Sequence, residues 1–102
     1  MISFLRSLFP VARPGKPEVR VMYFGRASEF LMMTSERLVI PDEPCTLGKV
    51  LGNLRSRGDR WAYELDDSHI LCAVNGKAAM LSDVIENGAE ISFSSRKSLY
   101  AI

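Results

Sequence analysis

The sequence has few of the residues from which most chemical sites are built. Among 102 residues it has two cysteines, Cys45 and Cys72, and one histidine, His69. An iron–sulfur cluster held by four cysteines is therefore excluded, and a structural zinc site has too few good ligands. The two cysteines form no CxxC pair and are too sparse for a secreted disulfide scaffold, so we expect two reduced, packed thiols. The sequence predicts no metal and no cofactor.

The chain also lacks an excess of charge of one sign and a long apolar run. Its 13 basic and 12 acidic residues give a formal net charge of +1, which provides no general attraction to nucleic acid or acidic membranes. No apolar stretch approaches the roughly 18 residues that span a bilayer. The apolar opening Met1–Phe9 is short and is followed at once by Pro10, which does not fit a secretory signal. We expect a cytoplasmic protein that binds neither nucleic acid nor membrane.

Candidate catalytic groups are present but poorly arranged. The adjacent carboxylates Asp42-Glu43 and Asp66-Asp67 lie in segments typical of turns, where such pairs usually form solvated surfaces rather than acid–base sites. A Ser-His-Asp site would need His69, and nothing in the sequence supplies its oxyanion donors. The apolar neighbours of Cys72 would raise the pKa of its thiol and make it a poor nucleophile. An independent enzyme is therefore not expected.

Composition divides the chain into three parts. Residues 10–17 (PVARPGKP) hold three prolines and a glycine, which is typical of a linker. We predict an apolar N-terminal tail and Pro-rich linker over 1–17, one domain over 18–93 and a C-terminal tail over 94–102. The length of the central part suits a single domain. Whether the apolar tail packs back, meets a partner or stays mobile is left open.

Two strands and one helix stand out in the first half of the domain. Alternation over Glu18–Phe24 and the short apolar run Leu38–Ile40 predict two strands that form a hairpin, with a short helical turn between them. Thr46 is the predicted N-cap of a helix, and Gly58 is its predicted C-terminal cap. An apolar stripe at helical spacing identifies that helix: Leu47, Val50, Leu51 and Leu54.

Two glycines inside the same helix, Gly48 and Gly52, each cost about 1 kcal/mol relative to alanine. Their four-residue spacing indicates either a close approach by another backbone or simple sequence drift.

The second half predicts more strands. His69–Val74 is apolar at nearly every position, which favours a central strand buried on both faces. Asn75-Gly76 and Asn87-Gly88 are tight-turn signals, and 89–93 predicts a last strand. Strands, one crossing helix and further strands indicate an α+β fold with the helix on one face of the sheet.

Several segments resemble one known family, the small sulfur-carrying subunit of molybdopterin synthase. They are VRVMYFGRASEF, GDRWAYEL, ILCAVNGK and NGAEISF, which together cover roughly residues 18–93. A weaker similarity runs to the sulfur carrier of thiamine biosynthesis. The resemblance implies a ubiquitin-like β-grasp fold, with a mixed sheet of four to five strands and one main helix on one face. It also implies a protein partner, such as a molybdopterin synthase large subunit or an activating enzyme.

The chain departs from that family where the family carries its chemistry. Family members end in Gly-Gly, whose carboxylate is adenylated and converted to a thiocarboxylate. Here no glycine follows Gly88, and the family's two glycines would fall near Leu99 and Tyr100. The resemblance therefore implies the fold and the partner class without the sulfur-bearing terminus. A true sulfur carrier with an atypical terminus remains the alternative.

The resemblance also implies residues that bind the partner. The family docks through an apolar patch on its sheet, and its counterparts here are Phe24, Ala78 and Ser94. The tail would add an apolar anchor flanked by basic residues. The anchor consists of Leu99, Tyr100 and Ile102, and the basic residues are Arg96 and Lys97. The alternative, in which the apolar tail residues cover the domain's own sheet edge, is equally open. The sequence also leaves open whether the chain forms a homo-oligomer.

Overall fold

The computed structural model describes residues 16–41 and 44–96. These residues form ten elements: β1 (Glu18–Phe24), α1 (Arg26–Leu31), β2 (Ser35–Val39), β3 (Cys45–Thr46), α2 (Leu47–Arg55), α3 (Asp59–Glu64), β4 (Ile70–Val74), β5 (Lys77–Ala78), β6 (Val84–Ile85) and β7 (Glu90–Ser95).

Five strands form a mixed sheet in the order β2-β1-β7-β4-β5, while β3 and β6 pair separately. The first and last strands, β1 and β7, are parallel neighbours, and every other pair in the large sheet is antiparallel. The segment between β1 and β7 must therefore cross over the sheet, and it carries all three helices. The predicted α+β fold with a mixed sheet of four to five strands is confirmed.

The core lies between one face of this sheet and the helices. Alternate residues of β1 and β7 are buried on that face, among them Val21, Tyr23, Ile91 and Phe93. The Tyr23 and Phe93 rings lie 6.0 Å apart between centroids. Opposite them is the apolar stripe of α2, whose four predicted residues are all buried: Leu47, Val50, Leu51 and Leu54.

Of the two caps predicted for α2, one is confirmed and the other is wrong. The Thr46 hydroxyl accepts a hydrogen bond from the Lys49 amide at 3.2 Å, so the predicted N-cap is confirmed. The predicted C-terminal cap is wrong, because the helix ends at Ser56, whose amide donates to the Gly52 carbonyl. Gly58 instead precedes α3 at φ 154°, since the chain turns directly from one helix into the next.

The glycines of α2 also differ from each other. Gly48 donates its amide hydrogen to the Leu81 carbonyl at 2.9 Å, and a Cβ placed there would lie 3.2 Å from that oxygen. A Cβ at Gly52 would have no other atom within 4 Å. The predicted close approach by another backbone is therefore confirmed at Gly48 alone.

The prediction that the run 69–74 forms a central strand buried on both faces is wrong. The central strand is β7, and Leu71 in β4 is 50% exposed. The helices cover only one face of the sheet, and β5 is too short to shield more than the last two residues of β4. Strand ends also differ from the prediction, since β2 begins at Ser35 and β7 continues to Ser95.

Candidate docking surface at the open face of the sheet

The face of the sheet away from the helices holds the residues that alternate with the core. Phe24 in β1 is the register partner of Ser94 in β7, and Ser94 is the register partner of Leu71 in β4. We call these three residues the exit row. Phe24 is 44% and Leu71 50% exposed, so two large apolar side chains flank a small polar one. An apolar patch of this kind is typical of a protein-binding surface.

The next row of the open face consists of small or partly buried residues. Met22 pairs with Ser92, Ser92 pairs with Ala73, and Ala73 pairs with Ala78. Directly opposite residues in a sheet share a face, so this row continues the surface of the exit row. Its small side chains leave the surface flat, and Phe24 and Leu71 are its larger apolar features.

The exit row lies where the chain leaves the sheet. The Arg96 amide donates to the His69 carbonyl at 2.7 Å, and Arg96 Nε donates to the Asp67 carbonyl at 3.1 Å. The Ser95 hydroxyl accepts from the Ala27 amide at 2.8 Å. Through these contacts α1 and the loop before β4 fix the position from which the C-terminal residues continue.

The structure brings together three of the residues predicted to bind a partner. Phe24 and Ser94 are neighbours in the exit row, and Ala78 lies on the same face at the far edge of the sheet. Arg96 is exposed at the root of the tail. The other predicted residues lie outside the described part of the chain: Lys97, Leu99, Tyr100 and Ile102.

Leu71 and Met22 belong to this surface and were not predicted. Leu71 stands in a run that is apolar at nearly every position, so no alternation marks which of its residues point outward. Met22 does alternate with the core residues of β1, and that period of two is the signal that would have identified it.

The candidate catalytic groups are placed as structural or solvated groups. Asp66 accepts hydrogen bonds from the amide and the hydroxyl of Ser68, and these bonds lower the pKa of its carboxyl. Asp67 pairs with Arg55. Burial raises the pKa of the Cys72 thiol, which keeps it protonated at neutral pH. Asp42 and Glu43 lie outside the described residues.

The described residues offer neither a metal-binding cluster nor a membrane-spanning helix. Residues 16–41 and 44–96 contain no group of three histidine, cysteine or acidic side chains placed to hold a metal ion. Within the same residues, no helix has the length and apolar character needed to cross a membrane.

Comparison with known proteins assigns the chain to a family. The sequence profile of the ThiS family matches residues 21–93. The chain belongs to the ThiS family. This match begins within β1 and ends within β7, so it includes Phe24, Leu71 and every element between the two strands. Proteins of this type are small carriers without catalytic activity, so the expectation that the chain is not an enzyme in its own right is confirmed.

Two curated relatives agree with the resemblance in the sequence. The molybdopterin synthase sulfur carrier subunit of Haemophilus influenzae is 28% identical over 75 residues, which cover 74% of this chain and 90% of the relative. The protein of the same name from Escherichia coli is 29% identical with the same coverage. The fold also matches the crystal structure of SAMP1 from Haloferax volcanii, with a TM-score of 0.64 at 23% identity, covering 74% of this chain and 91% of the other.

Proposed function

We propose that this ThiS-family protein is a noncovalent protein-binding module that acts in molybdenum cofactor biosynthesis or a related pathway in the cytoplasm. Its partner is a molybdopterin synthase large subunit or an activating enzyme. It docks through the exit row, Phe24, Ser94 and Leu71, with Ala78 at the edge of the same surface. The residues that follow β7 add a second contact through Arg96, Lys97, Leu99, Tyr100 and Ile102.

The single observation that carries the proposal is the position of the exit row beside the root of the tail. Two half-exposed apolar side chains lie on a face that the helices leave open, and the chain leaves the sheet at the same end. A partner that covers this end therefore contacts the exit row and the tail together. Tyrosine is enriched among interface anchors, which favours Tyr100 as the tail's main contact.

The noncovalent mode is proposed because of the residues that replace the family's glycines. A chain that threads a narrow channel and presents an acyl carbon to a nucleophile benefits from glycine, which has no side chain and few backbone restrictions. Leu99 and Tyr100 are bulky at those positions. The competing function is a sulfur carrier that is thiocarboxylated at an atypical terminus.

Docking is tested by titrating the full chain against the cognate large subunit by calorimetry. We expect Leu71→Asp to weaken binding at least about tenfold, because a carboxylate that replaces one of the two large apolar side chains of the exit row must be desolvated. Val84→Asp is the matched control, since Val84 is 57% exposed but lies in β6, outside the large sheet. Equal affinities of the two variants would exclude the exit row as the docking surface.

The covalent alternative is tested by the intact mass of the full chain after incubation with the activating enzyme, ATP and a sulfur donor. The noncovalent proposal expects an unchanged mass. Exchange of one terminal oxygen for sulfur would overturn it and establish the carrier function.

The contribution of the tail is tested by a Leu99→Ser, Tyr100→Ser double variant. If this variant keeps full affinity for the large subunit, docking is restricted to the sheet.

A further inference from the structure

An apolar concavity lies between the edge strand β2 and the helix α2, away from the exit row. We call it the β2–α2 groove. Its volume is about 140 Å³. Ile40 and Val50 at its base are buried, and Leu38 lies on the same face of β2 as the core residue Val19 with which it pairs. The groove is lined mainly by apolar side chains: Leu38, Val39, Ile40, Pro41, Cys45, Lys49, Val50 and Asn53.

The N-terminal part of the chain enters the domain at this groove. The Ile40 amide donates to the Pro17 carbonyl at 3.0 Å, so the last residue of the linker is bonded to a residue that lines the groove. The strand β2 lies at the edge of the sheet, next to β1. A path from the start of β1 to the outer side of β2 crosses about two strand spacings, or roughly 10 Å.

The linker is long enough for this path. Eight residues, 10–17, reach up to roughly 26 Å when extended. Its three prolines favour extended conformations over helical ones. A segment held by so short a connection has an effective concentration in the millimolar range at the groove, which favours an intramolecular contact over a separate partner of similar chemistry.

The segment before the linker has the composition that the groove would accept. Six of the first nine residues are apolar, namely Met1, Ile2, Phe4, Leu5, Leu8 and Phe9. They are spaced so that, at 3.6 residues per turn, all six fall on one side, while Ser3, Arg6 and Ser7 fall on the other. One or two of these side chains match the groove in size and in polarity.

We propose that the segment Met1–Phe9 docks with its apolar side in the β2–α2 groove of the same chain. It covers Leu38 and the edge of β2 next to it. An unpaired sheet edge is a site of unwanted association, and a covering segment removes it. This contact lies away from the exit row and is independent of the proposed function.

The test uses the full chain with labelled methyl groups. We expect nuclear Overhauser contacts from Leu5 or Leu8 to the methyl groups of Leu38 or Val50. Leu8→Asp should remove these contacts and shift the Leu38 and Val50 signals. Ser7→Asp places the same charge one residue earlier on the polar side, and it should leave both unchanged.

Four results would overturn the proposal. The contacts could be absent from the wild-type chain, or the two aspartate variants could shift the groove signals equally. Contacts that occur only between differently labelled copies in a mixed sample would assign the groove to a second copy of the chain. Binding of the wild-type chain to anionic lipid vesicles, with loss of the groove contacts, would assign the segment to a membrane surface.

Discussion

At the residue scale, Tyr23 shows how a hydroxyl group is accommodated in the core. Its side chain is buried, and its hydroxyl donates to Glu36 Oε2 at 2.7 Å. Arg57 binds both oxygens of the same carboxylate at 2.8 and 2.9 Å, and its guanidinium lies 4.6 Å from the centroid of the Trp61 ring. This network gives the Tyr23 hydroxyl a hydrogen-bond partner, and without it that buried group would be unpaired beneath α3.

This environment makes the contribution of Tyr23 depend on pH. Burial, followed by the hydrogen bond to Glu36 and the charge of that carboxylate, raises the pKa of Tyr23 well above its ordinary value. The folded chain thus favours the neutral phenol. Its stabilisation is complete below the unfolded pKa of about 10 and is lost as the pH rises above it.

We expect Tyr23→Phe to lower the free energy of unfolding by about 1–2 kcal/mol at pH 7, because the hydrogen bond to a charged acceptor is lost. By pH 11 the difference between wild type and variant should narrow by about 1 kcal/mol, since only the wild type must keep this phenol neutral. Urea denaturation at both pH values measures the two differences.

Tyr63→Phe serves as the control for this prediction. The Tyr63 side chain is exposed, so its substitution should change the free energy of unfolding at pH 7 by less than about 0.5 kcal/mol. A difference between wild type and Tyr23→Phe that stays constant from pH 7 to pH 11 would show that burial of this phenol is not linked to folding.

At the scale of the element, the two glycines of α2 give opposite expectations. Gly52→Ala should raise the free energy of unfolding by up to about 1 kcal/mol, because alanine favours the helix and a Cβ there has no other atom within 4 Å. Gly48→Ala should give no gain, since its Cβ would press on the Leu81 carbonyl at 3.2 Å. Thermal or urea unfolding of the two variants makes the comparison, and equal stabilisation would contradict the close approach at Gly48.

At the scale of the whole molecule, stability depends on β7, which pairs with β1 on one side and β4 on the other. Phe93 in this strand is completely buried. We expect Phe93→Ala to lower the free energy of unfolding by about 3–5 kcal/mol, and the remaining structure to unfold in a single transition. Circular dichroism and tryptophan fluorescence during urea denaturation report the secondary and tertiary structure separately.

Phe30→Ala is the matched control, because Phe30 lies in α1 with an exposed side chain. It should cost far less than Phe93→Ala. Two separate transitions in the Phe93→Ala variant would show that the β1–β2 hairpin and the β4 region fold as independent units.

Local patterns were predicted from the sequence most accurately. The stripe of α2 and its Thr46 cap follow from a 3.6-residue period and one capping hydroxyl. The Asn75-Gly76 turn is confirmed by positive φ at both residues, 52° and 83°, which asparagine and glycine tolerate best. The end of α2 was predicted less well, because Gly58 serves the following helix instead.

The candidate docking surface was predicted only in part. Phe24, Ala78 and Ser94 came from the family resemblance, and the structure places all three on one face of the sheet. Leu71 was missed, because an apolar run does not reveal which of its side chains a second layer covers. The tail residues from Lys97 onward stay a prediction.

The sequence by itself determined the helix α2, the strand β1, the tight turns and the scarcity of metal-binding and catalytic groups. Each of these depends on residue type or on spacing within a few positions. Only the tertiary structure decided that β7 is the central strand, paired in parallel with β1, and that the exit row lies on the face of the sheet opposite the helices. These features join residues about 70 positions apart, and their pairing is selected by burial of the whole core rather than by any local pattern.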